Sequence, residues 1–158
     1  MALATANLDL SDINIVKGLN SAKLPGRMQV VSAEPTIILD VAHNPHSAEY
    51  LVERIQQKYL DKKIHAVVAM LHDKDIKATL QELSEIASNW YPASLMGPRA
   101  ASADELCQYL PESNQKYPSP VEAFKAAMTN ARTEDVILVV GSFHTVGEVL
   151  EYWQSKGA

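Results

Sequence analysis

The sequence predicts a three-layer, Rossmann-like α/β sandwich with a mostly parallel (mixed) sheet of about six strands and helices on both faces. Three observations carry that expectation. Short runs such as Thr36-Ile37-Ile38-Leu39, Ile64–Met70 and Val136–Val140 are apolar without alternation, as strands covered on both faces are. Segments of helical period separate them. Several of those segments also open with recognisable capping residues.

In chain order, Ser11-Asp12-Ile13-Asn14 offers an N-cap for a short helix through Leu19. Pro25-Gly26 interrupts the chain before an extended run, Met28–Val31, and Ala33-Glu34-Pro35 reads as a turn into Thr36–Leu39. Ala48 through Leu60 then carries apolar residues at Tyr50, Leu51, Ile55 and Tyr59, a helical stripe. Ile64–Met70 reads as strand, Ile76–Ala87 as helix, Trp90–Leu95 as a weaker strand and Ser102–Leu110 as helix. Pro120–Ala131 (helix), Val136–Val140 (strand) and Val146–Gln154 (helix) complete the order. Ser102-x-x-Glu105 and Ser119-Pro120-x-Glu122 match a capping box, the second with proline at the first helical position. Strands alternating with helices imply βαβ units with right-handed crossovers.

Composition narrows the function classes. The 158 residues fit one domain, with 1–23 as a linker and leading helix and 24–158 as the domain itself. At 47% apolar and 21% charged the chain is ordinary for a globular protein. A net charge of −5 with no Lys/Arg run argues against a nucleic-acid partner. The apolar stretches Ala66–Leu71 and Val136–Val140 fall far short of the roughly 20 residues that span a bilayer. Met1-Ala2-Leu3 opens no secretory signal, and Cys107, in a helical pattern, reads as packing in a reducing cytoplasm.

In open α/β sheets ligands bind beyond the carboxyl ends of the strands, so the residues there are the ones to read. Asp40-Val41-Ala42-His43-Asn44-Pro45-His46 follows the strand Thr36–Leu39. Asp40 is placed to accept from a ribose, and His43 and Asn44 to point donors at a phosphate or carboxylate; Asp40 and Asn44 as helix caps are the rival reading. Leu71-His72-Asp73-Lys74-Asp75 follows Ile64–Met70, with Asp73 or Asp75 read as a cap. Gly141-Ser142-Phe143-His144-Thr145 follows Val136–Val140; glycine allows close approach, while Ser142 and His144 supply donors or a cap. Arg27 after Pro25-Gly26 and Arg99 after Gly97-Pro98 sit in stiff loops, which lowers the ordering cost of gripping an anion. A zinc site, a nucleophile elbow and a phosphate loop of the G-x-x-x-x-G-K-[ST] type find no match.

Leu24-Pro25-Gly26-Arg27-Met28-Gln29, Asp40-Val41-Ala42-His43-Asn44-Pro45, Met70-Leu71-His72-Asp73-Lys74-Asp75 and Gly141-Ser142-Phe143-His144-Thr145-Val146, in this order, form a set. From about Ile13 to Trp153 the chain resembles the carboxyl-terminal domain of the dihydrofolate synthase/folylpolyglutamate synthase branch of the Mur ligase superfamily. The resemblance implies an ATP-dependent amide ligase. A carboxylate of pteroate or folate is phosphorylated, the amino group of L-glutamate attacks the acyl phosphate, and phosphate leaves. It implies ATP contacts at Arg27, Asp40 and His43, and glutamate-side contacts at His43, Asn44, Arg99, Ser142 and His144. The Arg99 assignment follows a D-N-P-R stretch of peptidoglycan ligases whose Asp-Asn pair is absent here.

The resemblance further implies a phosphate loop and Mg2+ ligands in an amino-terminal ATPase domain acting in cis. The expectation is therefore an excised, monomeric, cytoplasmic domain, with no metal site and no turnover of its own. Two other readings stay in view: a peptidoglycan-precursor ligase domain, and a nucleotide-binding module without a reaction of its own.

Overall fold

The computed structural model describes residues 26–111 and 115–157. The helix expected over 11–19 and the Leu24-Pro25 dipeptide lie outside the described residues. The elements are β1 (Gln29–Ala33), β2 (Thr36–Asp40), α1 (Pro45–Tyr59), β3 (Ile64–Val68), α2 (Ile76–Leu83), β4 (Asn89–Pro92), α3 (Ala103–Cys107), α4 (Pro120–Asn130), β5 (Val136–Val140) and α5 (Phe143–Ser155).

The sheet order is β1-β2-β5-β3-β4. β1 runs antiparallel to β2, and the other pairings are parallel. Alternate residues leave the sheet on opposite sides. Ile38, Ala66, Val68, Leu138 and Val140 join Leu51, Ile55, Leu80 and Leu83 of α1 and α2 in one core. Ile37, Leu39, Val67, Ile137 and Val139 join Phe124 and Ala127 of α4 and Val146 and Val149 of α5 in the other. This explains the unbroken apolar runs, since each central strand has a helix layer on either side.

Five strands form among the described residues, against the expected six. Beyond β4 the sheet gains no further strand among the described residues. That edge carries a single parallel bridge, Ala93 to Tyr117, with Tyr117 N–H donating to Pro92 O at 3.0 Å. Ser119, two residues on, already caps α4, which opens at Pro120, so the chain turns away from the sheet after one bridge.

Two helices are shorter than their periodicity suggested: α2 stops at Leu83 and α3 at Cys107. Tyr50 was expected in the apolar stripe of α1, but it points outward and is 59% exposed. Ala48, Leu51, Val52 and Ile55 are the residues that α1 buries. No helix among the described residues is long and apolar enough to cross a membrane.

Candidate functional site

Three chain segments meet at the carboxyl ends of β2, β3 and β5. The first is a loop stitched to the end of β2. Gly26 O accepts from Val41 N–H at 2.7 Å, and Gly26 N–H donates to Gln29 Oε1 at 2.9 Å. Gly26 has φ +73, and a Cβ there would meet Val41 Cγ1 at 2.7 Å, so only glycine fits. Met28 sits at φ 42, an uncommon conformation for a side-chain-bearing residue. Its amide is held by Asp40 Oδ2 at 2.8 Å, while Asp40 Oδ1 takes the Ala42 amide at 2.8 Å.

Asp40 is therefore first a brace. Both carboxylate oxygens tie the Arg27 loop to the strand end, and lone pairs remain for one more donor. Burial pushes its carboxyl above the ordinary value, against the opposing pull of the two amides and Arg27. Asp40→Ala leaves two amides without an acceptor at a cost near 1–3 kcal/mol each, partly offset by removing a desolvated charge. A net loss of about 2 kcal/mol in urea unfolding is expected, with a smaller loss for Asp40→Asn, which keeps one acceptor oxygen. An unchanged midpoint in Asp40→Ala would show that the brace carries no load.

The second segment opens α1. Asn44 is its N-cap: Asn44 Oδ1 accepts from Ser47 N–H at 2.9 Å, and Ser47 Oγ accepts from Asn44 N–H at 3.2 Å, a reciprocal capping box. The capping alternative for Asn44 is thus realised, leaving its amide nitrogen as donor. His43 is half-buried, and its Nδ1 donates to Val41 O at 2.8 Å. That contact fixes the ring and directs Nε2 away from it.

The third segment opens α5. Ser142 is buried, and its hydroxyl accepts from Thr145 N–H at 3.0 Å and lies 2.7 Å from Thr145 Oγ1. Thr145 Oγ1 in turn donates to Ala69 O at 2.6 Å, locking the helix start to the end of β3. Ser142 thus spends its hydroxyl on the cap, whereas His144 is exposed at the rim.

These segments enclose two adjoining depressions that share His43 and Phe143. The larger, about 520 Å³, is bordered by Arg27, Asp40, His43 and Asn44, and also by His46, Tyr50 and Arg54. The smaller, about 230 Å³, is bordered by His43, Ser142 and His144 together with Leu71, Lys74 and Phe143. Arg27 and Arg54 border the larger depression, and Lys74, whose Nζ lies 3.7 Å from Asp73 Oδ2, borders the smaller.

Six of the seven residues expected in the site thus come together. Arg99 does not join them. Its Nη2 and Nε reach Asp73 at 2.6 and 3.3 Å, and that contact lowers the Asp73 carboxyl. The other acid of that loop, Asp75, caps α2 through Ala78 N–H at 3.0 Å. Lys74, Tyr50, Arg54 and Phe143 were not singled out in the sequence. Lys74 stood inside a motif read as a cap, and Tyr50 inside a stripe read as core. Among the described residues no cluster of three or more metal-binding side chains occurs.

Comparison with known proteins gives a consistent result. Residues 26–143 match the family "Mur ligase, glutamate ligase domain". The dihydrofolate synthase/folylpolyglutamate synthase of Escherichia coli (strain K12) is 47% identical over 150 residues, which cover 95% of this chain and 35% of that protein. The structure of E. coli FolC in complex with DHPP and ADP superposes with a TM-score of 0.91 at 44% identity, covering 99% of this chain and 38% of that one. A bifunctional folylpolyglutamate synthase/dihydrofolate synthase from Yersinia pestis, complexed with AMPPNP and a Mn ion, gives a TM-score of 0.87 at 50% identity, covering 96% of this chain and 37% of that one. The chain spans about a third of the length of the dihydrofolate synthase/folylpolyglutamate synthases it matches.

Proposed function

The chain belongs to the Mur ligase family, as its glutamate ligase domain, and from that premise we propose that it is the carboxyl-terminal part of an ATP-dependent ligase adding L-glutamate to dihydropteroate and to folate. In this reading residues 24–158 form the domain, and it works in the cytoplasm. The phosphate loop and Mg2+ ligands lie in an amino-terminal ATPase domain that closes over this rim. The observation that carries the reading is the gathering of Arg27, Asp40 and His43 on one groove at the strand ends.

Each residue has a role in keeping with its geometry. Arg27, in a loop held by Asp40, neutralises nucleotide phosphate charge. Asp40, with two lone-pair positions already occupied by amides, accepts from a ribose hydroxyl. His43 lies between the two depressions and presents Nε2 to the nucleotide or the incoming glutamate. His144 and the Asn44 amide face the glutamate side, and Ser142 shapes that side by capping α5. Arg99 takes part only if Asp73 releases it.

The chemistry asks little covalent help of these groups. ATP transfers its terminal phosphoryl to the substrate carboxylate, the glutamate amine displaces phosphate from the acyl phosphate, and positioning and charge neutralisation lower both barriers.

A titration of the isotopically labelled 158-residue chain with ADP, and separately with L-glutamate, tests the reading. Amide shifts at Arg27, Asp40 and His43 in the millimolar range are expected, with ADP weakened about tenfold in Arg27→Ala. Shifts that avoid these residues would sink the proposal. Tight saturation would favour a stand-alone nucleotide-binding module instead. The isolated chain should release no ADP from ATP with dihydropteroate, glutamate and magnesium.

A further inference from the structure

From the large groove we infer that Tyr50 is a stacking platform for the base of the nucleotide, a positioning residue that the motifs alone do not mark. The inference rests on the nucleotide reading above and sharpens it. Singly exposed aromatic residues are ordinary on protein surfaces. Tyr50 is set apart by three features.

It is 59% exposed yet borders the same depression as Arg27 and Asp40. It stands on α1, a rigid 15-residue helix whose cap fixes its start beside His43. The Arg54 guanidinium, one helical turn on, lies over the Tyr50 ring at 5.9 Å from its centroid. The cation restrains the ring on one side and leaves a π face for a planar ligand. Among the described residues, Phe143, the other exposed six-membered ring at this rim, has no such cation.

The groove, at about 520 Å³, is far larger than a phosphate or a ribose needs. If Arg27 holds phosphate and Asp40 holds ribose, the part bordered by Tyr50 and Arg54 is left for the remaining piece of the ligand, which in a nucleotide is flat and aromatic. Stacking on an aromatic side chain tolerates any base, so this contact supplies affinity and orientation rather than a choice between bases.

ADP and inorganic tripolyphosphate separate the contributions, since the second carries charge without a base. Titrations of both into the 158-residue chain, Tyr50→Ala, Tyr50→Phe and Arg27→Ala should follow a definite pattern. Tyr50→Ala weakens ADP about tenfold and leaves tripolyphosphate unchanged, and Tyr50→Phe restores ADP binding. Arg27→Ala weakens both probes. The unfolding midpoint of Tyr50→Ala stays that of the parent, because the ring is exposed. Unaltered ADP binding in Tyr50→Ala, with both probes weakened by Arg27→Ala, overturns the platform alone. Equal loss of both probes in Tyr50→Ala also overturns it, because the groove has then been damaged generally. A parent chain that binds neither probe removes the nucleotide reading and the platform with it.

Discussion

Gly141→Ala should destabilise the chain by about 3–5 kcal/mol, read as a drop in the urea midpoint at constant slope. Two costs add at this position. Gly141 has φ +121, a region that L side chains rarely adopt. A Cβ there would also collide with the Ala69 carbonyl oxygen and approach Met70 Cγ to 2.9 Å. Neither neighbour can retreat easily. Ala69 O accepts from Thr145 Oγ1 at 2.6 Å, and Met70 is fully buried. Gly97 is the internal control, with φ +114 and nothing within 4 Å of its virtual Cβ. Gly97→Ala should therefore show the conformational strain alone, about 1–2 kcal/mol. If Gly141→Ala costs no more than Gly97→Ala, the close approach of β3 to the start of α5 is not what holds this rim. Because Ser142 and His144 follow directly, Gly141→Ala should also blunt any ligand response in the smaller depression under conditions where the chain stays folded.

Much of this arrangement was readable in the residues, and what was missed has physical causes. The central strands announced themselves because helices cover both of their faces, so no polar alternation interrupts Ile37–Leu39 or Val136–Val140. The helix starts were readable because caps are local: Ser102, Ser119 and Asn44 each satisfy an amide three residues on. Sheet extent at the edge was not local. Whether residues near Tyr117 add a strand depends on what pairs across to β4, and the start of α4 at Pro120 leaves room for a single bridge.

The site follows the same division. Turn glycine and strand-end chemistry mark Arg27, Asp40 and His43 in the sequence, and the fold brings them to one groove. Arg99 was drawn in by its stiff loop, but its fate depends on Asp73, 26 residues away in sequence. Tyr50 was assigned to the core by a periodicity that cannot tell which edge of an apolar stripe meets a neighbour. Helical spacing gives the angle between residues, and packing alone decides where the buried arc ends.

Asp135→Ala is expected to cost about 2–4 kcal/mol, because it leaves the His65 ring N–H and the Arg132 amide without an acceptor at about 1–3 kcal/mol each. The reason lies at the end of the sheet away from the groove. Asp135 and His65 are both buried, with His65 Nε2 at 3.2 Å from Asp135 Oδ2. His65 Nδ1 lies 3.0 Å from the Tyr91 hydroxyl, which also accepts from Asn130 Nδ2 at 3.2 Å. A neutral ring satisfies all four groups in one direction: Asn130 donates to Tyr91, Tyr91 to His65, and His65 to Asp135. Asp135 also takes the Arg132 amide at 2.8 Å. Burial pushes its carboxyl up, but the Arg132 amide, His65 and Lys63 outweigh burial and hold it below the ordinary value. A depressed carboxylate contributes stability that is in full force above its unfolded value of 3.8 and is lost as pH falls through the lower folded value. Unfolding free energies measured from pH 7 downward should therefore show an acid limb in the parent that is flatter in Asp135→Ala. An identical limb in both proteins would assign acid sensitivity to other carboxylates. Asp135→Asn keeps an acceptor for the Arg132 amide and should fall between the two. Since the strands run from this network to the groove at their opposite ends, Asp135→Asn should bind ADP at pH 7 as the parent does. A weakened ADP response in a folded Asp135→Asn chain would mean that the two ends of the sheet are coupled.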